Sequence, residues 1–205
     1  MSTKFFNNQG KNTLLEKFEG IFKYTKVNNF DALVGYLRAS GYFKIRKFLK
    51  NVPKIRILVG INVDNAIKQY HQIGLEFATN EQKILEELNK DLKKDIQNSP
   101  YNKETEEGIL EFIKDISSKK IEIAAHPSKN IHAKIYIFKP SSFNKHNSGS
   151  VITGSSNLSA TGIGALPESN YEFNVELRDF DDVQYASKEF EDLWKESVDI
   201  LPADV

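Results

Sequence analysis

An α/β fold, built as a mixed and largely parallel sheet with helices on both faces, is what this sequence predicts, and three observations carry the prediction. Two short apolar runs, Phe30 to Tyr36 and Ile55 to Ile61, flank a helical stretch from Tyr42 to Leu49, which is the strand, helix, strand order of a parallel pairing. Three charged amphipathic stretches follow, Asn65 to Phe77, Glu81 to Ile96 and Lys103 to Ile116, suited to covering a sheet. Four more strand-like segments then lead into a closing helix, and an alternation of this kind implies layered α/β architecture.

The elements follow in order. Thr13 to Lys26 carries Leu14, Leu15, Phe18, Ile21 and Phe22 at helical spacing, with Asn12 or Thr13 as its cap. The two apolar strands each hold a glycine near their end, and Ser40-Gly41 opens the helix between them. The three charged helices are expected to break near Gly74 to Asn80 and at Asn98-Ser99-Pro100. The later strands are read as Lys120 to Ala125, His132 to Lys139, Ser150 to Ser155 and Tyr171 to Arg178, and the closing helix as Asp181 to Ser197 with Trp194. Lys139 to Gly149 reads as a hairpin-like loop and Ser159 to Asn170 as a longer one.

With 205 residues, 40% of them hydrophobic, the chain can bury one substantial core, and residues 1–205 are read as a single domain. The chain stops just past the closing helix, which leaves a fragment of a longer multidomain protein open. No run of eighteen apolar residues and no secretory leader is found, so a soluble, cytoplasmic protein without membrane attachment is expected. Cysteine is absent, which removes disulfides, thiolate nucleophiles and cysteine-held metals. Chemistry must come from histidine, lysine, carboxylates or hydroxyls.

The 28 basic and 28 acidic residues cancel, yet they are segregated. No acid lies between Asp31 and Asp64, where Arg38, Lys44, Arg46, Lys47, Lys50, Lys54 and Arg56 fall. A second acid-free span, Ile123 to Pro167, holds Lys129, Lys134, Lys139, Lys145 and three of the four histidines. The pattern fits a positive face for a polyanion, and it fits equally well solvated helix faces and loops that happen to carry lysines.

The chemical signal sits in the second span. In an extended strand His132 and Lys134 share a face, as do Ser155 and Asn157, and as do Asn170, Glu172 and Asn174. Each residue alone has a structural explanation, since a strand histidine is commonly a hydrogen-bonded core or surface group. Together they supply a nucleophile or base, a cation, hydroxyl and amide donors, and a carboxylate, the set needed for phosphoryl transfer. His126, at a strand end, is a weaker candidate. His71 is read as structural or solvated, and Tyr42 and Phe43 as core packing, with base stacking the alternative.

These segments, His132-Ala133-Lys134-Ile135-Tyr136-Ile137-Phe138, Gly154-Ser155-Ser156-Asn157-Leu158-Ser159 and Asn170-Tyr171-Glu172-Phe173-Asn174, resemble the phospholipase D superfamily signature. The N-terminal half is similar, more weakly, to the nuclease domains at the front of bacterial restriction-type helicases. The resemblance implies that His132 attacks phosphorus to give a phosphohistidine and that the same histidine of a second copy protonates the leaving oxygen. It implies that Lys134 and Asn157 hold the non-bridging oxygens with help from Ser155, and that Glu172 holds a histidine in its productive tautomer. Neither a metal nor any other cofactor is required by that mechanism. Candidate substrate contacts are Arg38, Ser40, Lys139 and Ser156.

Two departures stand out. The family pattern often places an aspartate five residues after the lysine, where this chain has Lys139. Only one His-x-Lys occurs, so a homodimer with its site on the two-fold axis is expected. The leading reading is a metal-independent DNA endonuclease of a restriction or DNA-processing system, with a helicase or ATPase domain or subunit as a further partner. Its alternatives are a phospholipid or small-phosphodiester hydrolase and a catalytically decayed nucleic-acid-binding or dimerisation module.

Overall fold

The computed structural model describes residues 3–63, 65–77, 103–129 and 131–200. Its strands are β1 (Phe5–Asn7), β2 (Asn29–Leu37), β3 (Lys54–Val63), β4 (Ile121–Ala125), β5 (Ile135–Lys139), β6 (Ser150–Gly154), β7 (Phe173–Leu177) and β8 (Val198–Asp199). The helices are α1 (Leu14–Tyr24), α2 (Ala39–Arg46, continued by a 3-10 turn at Lys47–Leu49), α3 (Asn65–Phe77), α4 (Lys103–Ser117) and α5 (Phe180–Lys195). The expected helix from Glu81 to Ile96 lies outside the described residues.

All eight strands form one mixed sheet in the order β1-β7-β6-β5-β2-β3-β4-β8. The predicted parallel pairing of β2 with β3 is present, and β3 with β4 is parallel too. The remaining pairings are antiparallel, so the sheet is mixed as expected but not largely parallel. Part of the reason lies in the connections: parallel neighbours need a long crossover, and the ten-residue stretch 140–149 between β5 and β6 is too short for one, so it turns the chain back on itself. Strands β1 and β8 escaped the sequence reading because three and two residues carry no periodicity to read.

Helices cover both faces. On one, Phe18 and Phe22 of α1 meet Phe30 and Phe138 edge-on at centroid distances of 5.4 to 5.8 Å, in a core that also takes Tyr42 of α2 and Phe112 of α4. On the other, Val183 and Phe190 of α5 pack on Leu33, Leu58, Ile137 and Val151. Alternation along β5 explains the division, with Tyr136 and Phe138 facing α1 and Ile135 and Ile137 turned toward α5. Tyr42 is fully buried, which settles it as core.

Local chemistry sets the helix ends. Thr13 Oγ1 accepts from the Glu16 amide at 3.1 Å while Glu16 Oε2 accepts from the Thr13 amide at 3.2 Å, a reciprocal cap on α1. Helix α3 has the expected bounds, with Gly74 inside it where α4 crosses, and a Cβ there would come within 2.7 Å of Ile116.

Candidate active site

The site forms where the central strand β2 loses its regular pairing. Opposite Val34 lies Val59, but opposite Tyr36 lies Asn62, so β3 carries one extra residue across from Gly35. The antiparallel pairing of β2 with β5 ends at Leu33 and Ile135. His132, Ala133 and Lys134 therefore precede β5 and do not belong to a ladder, contrary to the strand expected from His132 onward. The segment runs instead across the ends of the strands, and a Cβ at Gly60 of β3 would strike the Ile131 carbonyl oxygen.

Gly35 is the point of convergence. A Cβ placed there would lie 3.3 Å from His132 Cδ2, 3.3 Å from Asn157 Oδ1 and 3.5 Å from Lys134 Nζ. Three side chains from two separate segments thus meet over a single glycine. Asn157 arrives because the chain leaving β6 crosses the start of β5 and bridges Leu158 to Leu37 at the end of β2. Its Oδ1 accepts from the Tyr36 amide at 3.0 Å, which turns Nδ2 outward as a donor. Arg38 N donates to the Leu158 carbonyl at 3.0 Å and fixes the same crossing.

Lys134 is 5% exposed, and its ammonium donates to the His132 carbonyl at 2.7 Å. No carboxylate lies within ion-pair distance of it among the described residues. Burial pushes its pKa below the ordinary lysine value, and the negative charge of Glu172 partly opposes that shift. Burial likewise raises the Tyr136 phenol, with Glu172 adding to the effect. His132 itself is exposed. The arrangement offers an accessible imidazole beside a desolvated cation and an amide donor, which is the geometry for attack on a phosphorus whose oxygens are held by positive groups.

The other expected residues divide. Glu172 is buried, accepts from Asn170 Nδ2 at 3.3 Å, and acts on Lys134 through its charge. Ser155 Oγ accepts from the Phe173 amide at 3.0 Å and so pins the end of β6 to β7. Ser156, expected at the substrate, is wholly buried. Its hydroxyl accepts from Asn174 Nδ2 at 3.0 Å and its carbonyl from the Tyr136 hydroxyl at 2.8 Å, so it holds the crossing segment in place. Arg38 and Ser40 line a cleft of about 430 Å³ that shares Asn157 with the site.

Lys139 is not at the site. It ends β5 about 17 Å along the strand from Lys134, with its ammonium 3.6 Å from the fully buried Asp31. Asp31 takes two hydrogen bonds from Arg56, at 2.7 and 2.9 Å, and Arg56 reaches Glu191 at 2.6 Å. The lysine in place of the usual aspartate thus belongs to a paired structural cluster, with Arg56 also lying over Phe190 and Trp194.

His126 is likewise remote from catalysis. Its Nδ1 accepts from the Ser128 and Lys129 amides, leaving Nε2–H to donate to Glu196 at 3.1 Å, and it orders the loop after β4. His71 is buried in α3, and that burial lowers its pKa. Among the described residues no three His, Asp or Glu side chains cluster as metal ligands. The sequence reading missed Gly35 and Gly60 as functional positions. Their signal was the glycine near the end of each parallel strand, which had no visible purpose until the crossing segments were seen.

The family model described as "Cardiolipin synthase, PLD-like domain" matches residues 45–194, which include every member of the convergence except Gly35 itself. No curated protein matches the chain in sequence. Among solved structures, NucT from Helicobacter pylori aligns with a TM-score of 0.51 at 12% identity over 96% of this chain and 97% of its own. Nuc from Salmonella typhimurium, a phospholipase D family member, aligns with a TM-score of 0.51 at 12% identity over 98% and 99%. Phosphatidylserine synthase from Haemophilus influenzae Rd KW20 aligns with a TM-score of 0.51 at 12% identity over 96% of this chain but 39% of that one.

Proposed function

Because the chain belongs to the phospholipase D-like family, we propose that it is a phosphodiesterase that cuts nucleic acid, a DNA endonuclease of a restriction or DNA-processing system, with His132 as its nucleophile. The observation that supports this most directly is the meeting of His132, Lys134 and Asn157 over Gly35. In the first step an imidazole nitrogen of His132 forms a bond to phosphorus as the bond to the leaving oxygen breaks. Lys134 and Asn157 Nδ2 donate to the non-bridging oxygens, where charge builds up. In the second step water displaces the histidine.

The leaving oxygen needs a proton and the attacking water must lose one. One chain offers no second imidazole over Gly35 among the described residues, so these transfers fall to His132 of a second copy in a homodimer, oriented by Glu172. Sedimentation of the active species as a monomer would exclude this.

A polyanionic substrate fits Lys134 and Arg38, cations with no ion pair among the described residues, and no helix among those residues is long and apolar enough to cross a membrane. A phospholipid diester is the second reading, favoured by the exposed stack of Phe5 on Phe173, 5.5 Å between centroids. Nicking of plasmid DNA in excess EDTA, run beside His132→Ala, tests the first reading. Wild type is expected to nick under chelation and the variant to lose on the order of 10⁴-fold or more. Equal cutting by both would end the histidine mechanism, and hydrolysis of phosphatidylcholine vesicles without nicking would install the lipid reading.

A further inference from the structure

The cleft beside the convergence has a chemistry of its own. It opens from Asn157 toward Tyr36, Arg38, Ser40, Thr161 and Leu166, and its volume of about 430 Å³ falls in the range of small-ligand sites. No acidic side chain among the described residues lines it. The Arg38 guanidinium lies over the Tyr36 ring, 5.9 Å from its centroid, and makes no ion pair among the described residues. Across the cleft Leu166 is 45% exposed, an apolar side chain held out by a loop whose Leu166 amide donates to Ser169 Oγ.

An unpaired guanidinium, flanking hydroxyls, an aromatic ring and an apolar wall match one phosphate joined to one flat heterocycle. The guanidinium takes the phosphate in a fork, and the ring and Leu166 take the base. Asn157 belongs both to this cleft and to the convergence at Gly35, so a group that fills the cleft lies beside the reacting centre. We propose that the cleft is a nucleotide subsite, holding the unit next to the scissile phosphate with Arg38 on the adjoining phosphate. This rests on the reading of the site as a nucleic-acid phosphodiesterase.

The test compares bis(p-nitrophenyl) phosphate with p-nitrophenyl esters of thymidylate, linked through the 5′ or the 3′ oxygen, each with and without a phosphate on the other hydroxyl. In wild type the further phosphate is expected to raise kcat/KM about tenfold or more in one of the two series, as a charge-assisted hydrogen bond does. Arg38→Ala should erase that gain, and Leu166→Trp, which fills the cleft, should erase the preference for a nucleoside over a nitrophenyl group. A gain that survives Arg38→Ala, or wild type that treats all the esters alike, would overturn the subsite while leaving the phosphodiesterase standing. Binding of thymidine 3′,5′-bisphosphate to the His132→Ala protein, by calorimetry, separates the two ideas. Binding that Arg38→Ala weakens about tenfold, together with a wild-type protein that cleaves none of the esters, keeps the subsite and removes the phosphodiesterase. Binding indifferent to Arg38 removes the subsite.

Discussion

Two ends of the same pair of strands treat charge in opposite ways. Where β2 and β5 meet Arg56, Asp31 is fully buried between two cations, Arg56 is shared with Glu191, and every charge has a partner. Four residues along, at Gly35, Lys134 is nearly as buried and has no ion pair among the described residues, and its ammonium is spent on a backbone carbonyl. Burying a charge is costly unless it is paired. That difference is what the proposed phosphate site rests on: a buried cation without an ion pair is the one an outside anion would complete.

Breaking the paired end should cost the most. Arg56→Met leaves Asp31 buried with only Lys139 nearby, and a loss of about 3–5 kcal/mol is expected in denaturant unfolding. Lys134→Met is the matched change at the other end. Turnover should fall about 10²- to 10³-fold, as when a transition-state donor is removed, while the unfolding midpoint stays the same or rises because a desolvated charge has gone. If Lys134→Met destabilises the protein as much as Arg56→Met does, the two ends do not differ and Lys134 is structural.

A smaller effect sharpens the geometry. In Gly35→Ala the new methyl meets His132 and Asn157 at 3.3 Å, so these must move by a fraction of an ångström. About a tenfold loss of kcat/KM is expected from such a misplacement, with little change in stability. An unaffected Gly35→Ala enzyme would show that the three side chains do not act as one unit.

The smallest effect is on pH. Lys134 must be charged to hold phosphate oxygens, so its contribution is complete below its pKa and is lost as pH rises through it, which sets the alkaline limb of activity. Burial already places that point below the ordinary lysine value, and Glu172 holds it up. Glu172→Gln removes the support, and the alkaline limb of kcat/KM should move to lower pH. An upward move, or none, would disconnect Glu172 from Lys134.

Much of this was legible in the residues. Periodicity placed α1 to within two residues and the parallel pair β2 and β3 almost whole, because apolar spacing reports directly on which face is buried. The order of His132, Lys134, Asn157 and Glu172 pointed to phosphoryl transfer before any coordinates, since few other side-chain sets suit it. The basic run from Arg38 to Arg56 left a single positive face and scattered solvated cations equally open, and the structure divides the run. Arg46 is committed to Asp115 at 2.8 Å and Arg56 to Asp31, while Arg38 alone reaches the cleft. Nothing in a linear run distinguishes a cation paired across the core from one left open.

What the sequence by itself determined is the set of chemical groups and the elements that carry them, because both follow from local side-chain identity and spacing. The tertiary structure alone decided which groups meet. The bulge opposite Gly35, the passage of Ile131 over Gly60, and the crossing that brings Asn157 from β6 to β2 all depend on contacts between residues far apart in the chain. The same long-range packing put Lys139 into an ion-pair cluster and the Ser156 side chain into the core, not over Gly35. A side chain's type limits what it can do, and its burial and partners, which only the fold supplies, decide whether it does so.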